Sequence, residues 1–393
     1  MPQIVLLDTP GDERSMISEG ILELRPDWCV RESWSAAQTL QLLEEQPADC
    51  LVCQAVISDI DLLALYDRLK KQFPNMIRFA FSSEPRQELV LESATTNQRI
   101  FNRDEPLNEL VEGIESSLRL HGLLSDYKKN IQHDFIQSLP ALPTIYNDMM
   151  RELAVPHASL LTVGQIIESD SALTAMVLKL VNSAFYGLSQ PVDSVGQAVS
   201  LLGVHLIKNL AMTAKVFSLF EGSTSNLRKL ERLNADACFI AALTNQFARL
   251  AELPRSTVDH CQIAGMLCNI GSMIALERKN ASVSETDQAS TALGGACLLQ
   301  AWGMPDSVIE AVALQHGPSS KYCSTTSPVV VLHAVRFLQN NYRYADDRTQ
   351  SRRCVDYLTQ MAHLSVVEQW LKAYETMIQL TGEPIMIRTS HSA

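Results

Sequence analysis

The chain has 393 residues, 46% of them hydrophobic and 19% charged, which is enough for two or three domains because a single core stops growing at roughly 250–300 residues. That apolar content excludes a disordered chain. Net charge is −12, with 21 Asp+Glu against 11 Lys+Arg in residues 1–125, so neither half offers the bulk basic face that nonspecific nucleic-acid binding requires.

The opening MPQIVLLDTPGDERS has no basic n-region, and Asp8 interrupts its apolar stretch, which argues against a signal peptide. No window approaches the roughly 20 uninterrupted apolar residues of a membrane helix. The expected location is the cytoplasm. Nine scattered cysteines fit reduced thiols in that compartment. Cys50 and Cys53 form a CxxC, but in a run that reads as a strand, where positions i and i+3 face opposite ways.

Through residue 125, short apolar runs alternate with amphipathic ones, the pattern of βα units feeding a parallel sheet. The expected strands are Ile4–Leu7, Cys29–Trp34, Cys50–Cys53, Met76–Phe81 and Arg99–Phe101. Ser35 is a candidate cap for a helix running to Gln46. Ile60, Leu63, Leu69 and Phe73 mark a second helix, and Leu107, Leu110, Val111, Ile114 and Leu118 a third. Five such units make a flavodoxin-like (βα)5 domain.

This order resembles the receiver domain of two-component response regulators. The resemblance implies a carboxylate nucleophile ending the third strand, an acid pair for Mg²⁺ after the first, a hydroxyl after the fourth and a lysine after the fifth. Here those positions hold Gln54, Asp8 followed by Thr9, Ser82 and Arg103. An amide cannot carry an aspartyl phosphate, so the domain is expected to be an unphosphorylatable pseudo-receiver. Asp59 and Asp61 lie in the following loop.

Residues 123–137 read as a helical linker. From 138 to about 340 the spacing becomes entirely helical. SLPALPTIYNDMMREL opens with two prolines around a turn. Leu173, Met176, Val177, Leu180 and Val181 then follow the i, i+3, i+4, i+7, i+8 rule of a buried face. Ser194 to Gln197 reads as a capping box. LPALP followed by IIESDSALTAMVLKLVNSAFYGLSQPVDSVGQAVSLLGVHLIKNLA resembles the front half of the HDOD family, the HD-related output domain. Asn182, Ser183 and Tyr186 in VNSAFYG are candidates for a ligand or partner surface, or for helix-end bonds and core filling.

The rear half of that family is similar to HD phosphohydrolases, whose histidines and acids hold one or two divalent metals that activate water. In this chain the resemblance places Asp236, Cys268, Asn269, Thr291, Gln315 and His316 at the metal-ligand positions. Asparagine and a lone thiol are poor ligands for hard cations. No metal or other cofactor is therefore expected, and the protein is expected to act by binding rather than catalysis. Relatives imply signalling proteins as partners, such as kinases or cyclic-dinucleotide enzymes, with no membrane or nucleic acid. The alternative is a metal-dependent HD-type phosphohydrolase or cyclic-nucleotide phosphodiesterase.

Pro328 fits the first turn of the helix in SPVVVLHAVRFLQNNY. ADDRTQSRR reads as a solvated loop. Ser365 is a candidate cap for a last helix carrying Val366, Trp370, Tyr374 and Met377. The expected organisation is a receiver-like domain at 1–122, the linker at 123–137, an all-α HDOD domain at 138–340, a helical extension at 341–382 and a flexible tail at 383–393.

Overall fold

A computed structural model of the chain describes residues 1–8, 14–54, 65, 68–69, 71–73, 76–82, 99–102, 106–130, 160–169, 171–181, 192–203, 207, 211, 227–277, 288–302, 304–318, 327–342 and 348–381. The chain divides into two compact units, one mainly Met1–His133, the other mainly Ala158–Trp302 with Ser307–Ala393.

In the first unit five strands, β1 (Gln3–Leu7), β2 (Cys29–Ser33), β3 (Cys50–Gln54), β4 (Ile77–Ser82) and β5 (Arg99–Asn102), form a sheet in the order β2-β1-β3-β4-β5. Every neighbouring pair is parallel. Each strand lies within one residue, at either end, of the run read from the sequence. The helices are α1 (Arg14–Leu24), α2 (Ala36–Glu45) and α3 (Leu107–Asn130).

Alternation along the strands divides the apolar residues between two layers. Ile4, Leu6, Cys50, Val52, Ile77 and Phe79 pack with Ile21 of α1 and Leu110, Val111 and Ile114 of α3. Val5, Leu7, Leu51, Cys53 and Ala80 pack on the other face with Leu40 and Leu43 of α2. A sheet covered on both faces is the doubly wound arrangement. Cys50 and Cys53 thus lie in different layers, both fully buried and neither in a disulfide.

Local chemistry supports these elements. Ser35 Oγ accepts from Gln38 N at 3.2 Å, while the Gln38 side chain accepts from Trp34 N at 2.9 Å. Arg31 donates to Leu42 O and Gln46 O at the C-terminal end of α2, where a cation complements the helix dipole. Arg25, just past α1, makes a two-point ion pair with Glu115 of α3. Helix α3 continues to Asn130, so the first part of the expected linker is the end of a 24-residue helix rather than a separate element.

The second unit is helical throughout its described residues: α4 (Leu160–Glu168), α5 (Ser171–Val181), α6 (Val195–Leu202), α7 (Leu227–Leu250), α8 (Arg255–Leu267), α9 (Ile270–Glu277), α10 (Gln288–Ala301), α11 (Asp306–Leu314), α12 (Pro328–Asn341), α13 (Arg348–Leu358) and α14 (Leu364–Thr381). Leu173, Val177 and Val181 of the predicted stripe on α5 are buried. Ser194 caps α6, accepting from Gln197 N at 3.2 Å. The Gln197 side chain reaches back to Asp193 N at 3.3 Å, one residue before the cap. Pro328 opens α12 as expected.

Helices α9 and α10 approach closely. A Cβ on Gly271 would stand 1.9 Å from Thr291 O, and one on Gly295 2.9 Å from Gly271 N. Only glycine permits that contact between backbones.

Two C-terminal expectations are corrected. Arg348 to Arg353 is not a loop but opens α13, whose Cys354 and Leu358 are buried. Polar residues cover the rest of the helix, so its few apolar positions escape a reading by composition. Ser365 is not the cap of α14, which begins at Leu364; Ser365 Oγ instead contacts His363 Nδ1 at 2.9 Å. Buried Val367, Trp370, Tyr374 and Met377 fix the inner face of α14. Trp370 stacks on Phe247 of α7, with ring centroids 5.0 Å apart, and its Nε1 donates to Phe247 O at 2.8 Å.

Candidate functional site

At the carboxyl end of the sheet, β1 and β3 are neighbours with Leu7 opposite Cys53, so Asp8 and Gln54 follow side by side. Gln54 pairs in register with Phe81, which places Ser82 next along β4. Three of the four receiver positions therefore share the topological switch point where ligands bind in such sheets. Asp8 is buried, and its N–H donates to Ser33 O at 3.2 Å. Arg103, Asp59 and Asp61 lie outside the described residues, as do Asn182, Ser183 and Tyr186.

The helical unit gathers its polar residues more tightly. Asp236 lies on α7, Cys268 and Asn269 form the junction between α8 and α9, and Gln315 follows α11. Asp236, Asn269 and Gln315 are buried polar side chains and Cys268 is buried beside them. All four converge on Arg336 of α12, which the sequence reading did not single out. Arg336 Nη1 donates to Asp236 Oδ2 at 3.0 Å and Gln339 Oε1 at 3.2 Å. Its Nη2 donates to Cys268 Sγ at 3.3 Å and to Asn269 Oδ1. Its Nε donates to Gln315 Oε1 at 3.0 Å.

The remaining polar atoms close the network. Asn269 Nδ2 donates to Asp236 Oδ2 at 2.8 Å and Leu233 O at 2.9 Å. Gln339 Nε2 donates to Asp236 Oδ1. Gln315 Nε2 donates to Cys268 O at 2.9 Å and Val312 O at 3.0 Å. Next to it, His333 Nδ1 meets Gln315 O and Nε2 meets the Tyr357 hydroxyl, each at 2.9 Å. A carbonyl only accepts, so Nδ1 carries the proton and the hydroxyl of Tyr357 donates to Nε2. Tyr357 also stacks on Phe337 at 4.2 Å between centroids, tying α13 to α12.

Burial pushes the Cys268 thiol up to about 12, against the lowering effect of Arg336. It lowers His333, which stays neutral. Burial alone would also lower Arg336, but Cys268 and Asp236 outweigh it and hold the guanidinium above its usual value. His316 is half-buried and pushed down to about 4, first by burial, then by Arg336 and His333. Thr291 lies on α10 at the close approach to Gly271.

The residues present do not fit a divalent metal. Asp236 supplies the one carboxylate of the network, Cys268 is held as a neutral thiol, and the N–H groups of Arg336, Asn269 and Gln339 are aimed at Asp236, where a metal would need lone pairs. Among the described residues, no group of three His, Cys, Asp or Glu side chains is placed to hold a metal.

Arg336 was missed because one arginine in a helix normally reads as a solvated position. The usable signal was spacing: His333, Arg336 and Gln339 fall every third residue along α12, whose other residues are apolar as far as Leu338, a polar stripe on a buried helix.

A parallel sheet of order β2-β1-β3-β4-β5 followed by a helical unit defines a receiver-like α/β domain joined to an all-helical one. Residues 139–318 match the family model of the HDOD domain. An uncharacterized protein of Treponema pallidum (strain Nichols) is 24% identical over 237 residues, 54% of this chain and 45% of that one. The uncharacterized protein YuxH of Bacillus subtilis (strain 168) is 36% identical over 63 residues, 16% of this chain and 15% of that one. The chain thus spans less than half the length of these relatives.

Among solved structures, an HDOD domain protein of unknown function from Geobacter sulfurreducens is similar at 15% identity and TM-score 0.45, covering 67% of this chain and 98% of that one. A candidate metal-dependent phosphohydrolase from Shewanella amazonensis SB2B is similar at 21% identity and TM-score 0.47, covering 68% and 99%. The signal receiver domain of an HD domain-containing protein from Pseudomonas fluorescens Pf-5 is 21% identical, with TM-score 0.28, and covers 31% and 97%. Among the described residues no helix is long and apolar enough to cross a membrane.

Proposed function

We propose that the chain is a bacterial signal-transduction regulator that binds a protein or small ligand through its HDOD domain without a catalytic metal, and that its receiver-like domain does not take up phosphate. The observation that supports this reading is the set of bonds at the HD positions. The side chains of Asp236, Cys268, Asn269 and Gln315 all bond Arg336, which leaves them committed to the fold rather than turned toward a substrate. Gln54 at the end of β3 supports the second half, since an amide offers no oxygen nucleophile for phosphoryl transfer.

A pull-down from a bacterial lysate, with the full chain as bait and mass spectrometry as the readout, should recover a signalling protein. Purified protein should show no turnover of phosphoesters or cyclic dinucleotides. Its intact mass should be unchanged by acetyl phosphate and Mg²⁺. Stoichiometric Mn, Fe or Zn together with turnover abolished by Cys268→Ala would replace this reading with a phosphohydrolase.

A further inference from the structure

We infer that Arg336 is the resident cation of the helical unit: its guanidinium stands where an HD enzyme would hold a metal and draws the same helices together in the metal's place. The inference deepens the metal-free reading above and rests on it for the comparison with HD enzymes.

A guanidinium has five N–H groups, and all five have acceptors here. Nε meets Gln315, Nη1 meets Asp236 and Gln339, and Nη2 meets Cys268 and Asn269. These acceptors come from α7, the α8–α9 junction, the end of α11 and α12 itself. The Arg336 side chain is 11% exposed and that of Asp236 1%, so the pair is shielded from water and salt.

The spacing suits a guanidinium and not a bare ion. Metals draw oxygen and nitrogen ligands to about 2.0–2.6 Å. Here Asp236 and Gln315 stand 3.0 Å from the Arg336 nitrogens, the separation of an N–H hydrogen bond. Charge balance agrees, because one guanidinium neutralises one carboxylate. A divalent ion added beside Arg336 would meet like charge with no second acid in the network to offset it.

The consequence is a domain whose internal order is independent of metal supply. Where a bound ion ties ligand helices together, removing the ion removes the tie. This chain keeps the corresponding tie covalently attached to α12, so the surface it presents to a partner does not follow cellular metal levels.

Thermal unfolding of the full-length protein tests this directly, with wild type, Arg336→Ala, Arg336→Lys, Asp236→Asn and the double variant Arg336→Met/Asp236→Asn. Each is melted with EDTA, with Mn²⁺ and with Zn²⁺. Wild type should melt at one temperature in all three conditions. Arg336→Ala should lose roughly 10 °C by leaving Asp236 buried and unpaired. Arg336→Lys should lose a large part of that, because an ammonium cannot reproduce the planar five-donor fork. The double variant, which removes both charges, should melt above Arg336→Ala, and should fold even if Arg336→Ala does not.

Equal melting of wild type and Arg336→Ala would overturn the inference. So would a double variant no more stable than Arg336→Ala, or a wild-type melting point raised by Mn²⁺ or Zn²⁺ in a manner lost in Asp236→Asn. Phosphate taken up by the receiver-like unit, or no partner in the pull-down, would strike the proposed function while leaving these melts unaffected. The two failures are therefore distinguishable.

Discussion

The sheet end of the receiver-like unit and the polar centre of the helical unit both hold residues that the sequence resemblance singled out, but the two settings constrain those residues differently. At the sheet, Gln54 and Ser82 occupy strand ends set by backbone pairing, and the frame holds whatever side chain is there. In the helical unit the corresponding side chains are themselves structural, all bonded to Arg336. Asp236 and Arg336 are 100 residues apart, and Cys268 and Arg336 are 68 apart, so their bonds set how distant helices meet. A strand end tolerates substitution because the ladder does not depend on it. A buried polar centre must be satisfied in full, since each unmet group costs about 1–3 kcal/mol.

That contrast predicts large, long-range costs in the helical unit and small, local ones in the sheet unit. The largest expected cost is that of Trp370→Ala. It removes the stack on Phe247 and the bond to its carbonyl, and should cost about 3–5 kcal/mol in a urea melt followed by circular dichroism. A cost under about 1 kcal/mol would mean that α14 is an appendage and the helical unit is less unified than described.

Acid should act next in size. His316 titrates at about 4 in the folded chain against 6.5 for the free side chain, and His333 is lowered too. The unfolded chain therefore binds protons first, so stability is full above about pH 6.5 and declines as pH falls toward 4. After allowance for the part exposure of His316, the loss across that window should be on the order of 2 kcal/mol. Denaturant melts from pH 7 to pH 4 should show it, and His316→Asn should flatten part of the slope. An unchanged slope would place the proton uptake elsewhere.

The smallest effects belong to the helix caps. Ser35→Ala in the sheet unit and Ser194→Ala in the helical unit each delete one side-chain acceptor and should each cost about 1 kcal/mol by chemical denaturation. Similar costs in both units would sharpen the contrast by tying the difference to the polar centre rather than to general rigidity. A Ser194→Ala cost several times larger would blur it.

The parts of this molecule governed by local rules were readable in advance. Alternation placed five strands to within a residue, since a buried parallel strand must be an apolar run bounded by turns. Ser35 and Ser194 announced their helices because capping is chemistry between residues three apart. The opposite facing of Cys50 and Cys53 follows from the two-residue period alone. Helix α13 was misread because its burial rests on a few residues such as Cys354 and Leu358 amid arginines, and packing against α12 supplies what composition does not. Of the site, the resemblance located Asp236, Cys268, Asn269 and Gln315, but not what they do. Their common partner lies on another helix, and nothing local in FLQ or AVR states that a guanidinium will turn inward to meet an acid 100 residues earlier.

The Cys50 and Cys53 thiols turn the sheet into its own reporter. Burial raises the Cys50 thiol well above its ordinary range, and both side chains are fully enclosed, so a thiol reagent reaches either only when a helical layer lifts away. Cys50 lies under α1 and α3, and Cys53 on the face covered by α2. Two single-thiol proteins, one for each position, would therefore time the breathing of each layer separately, with no label or probe added to the fold.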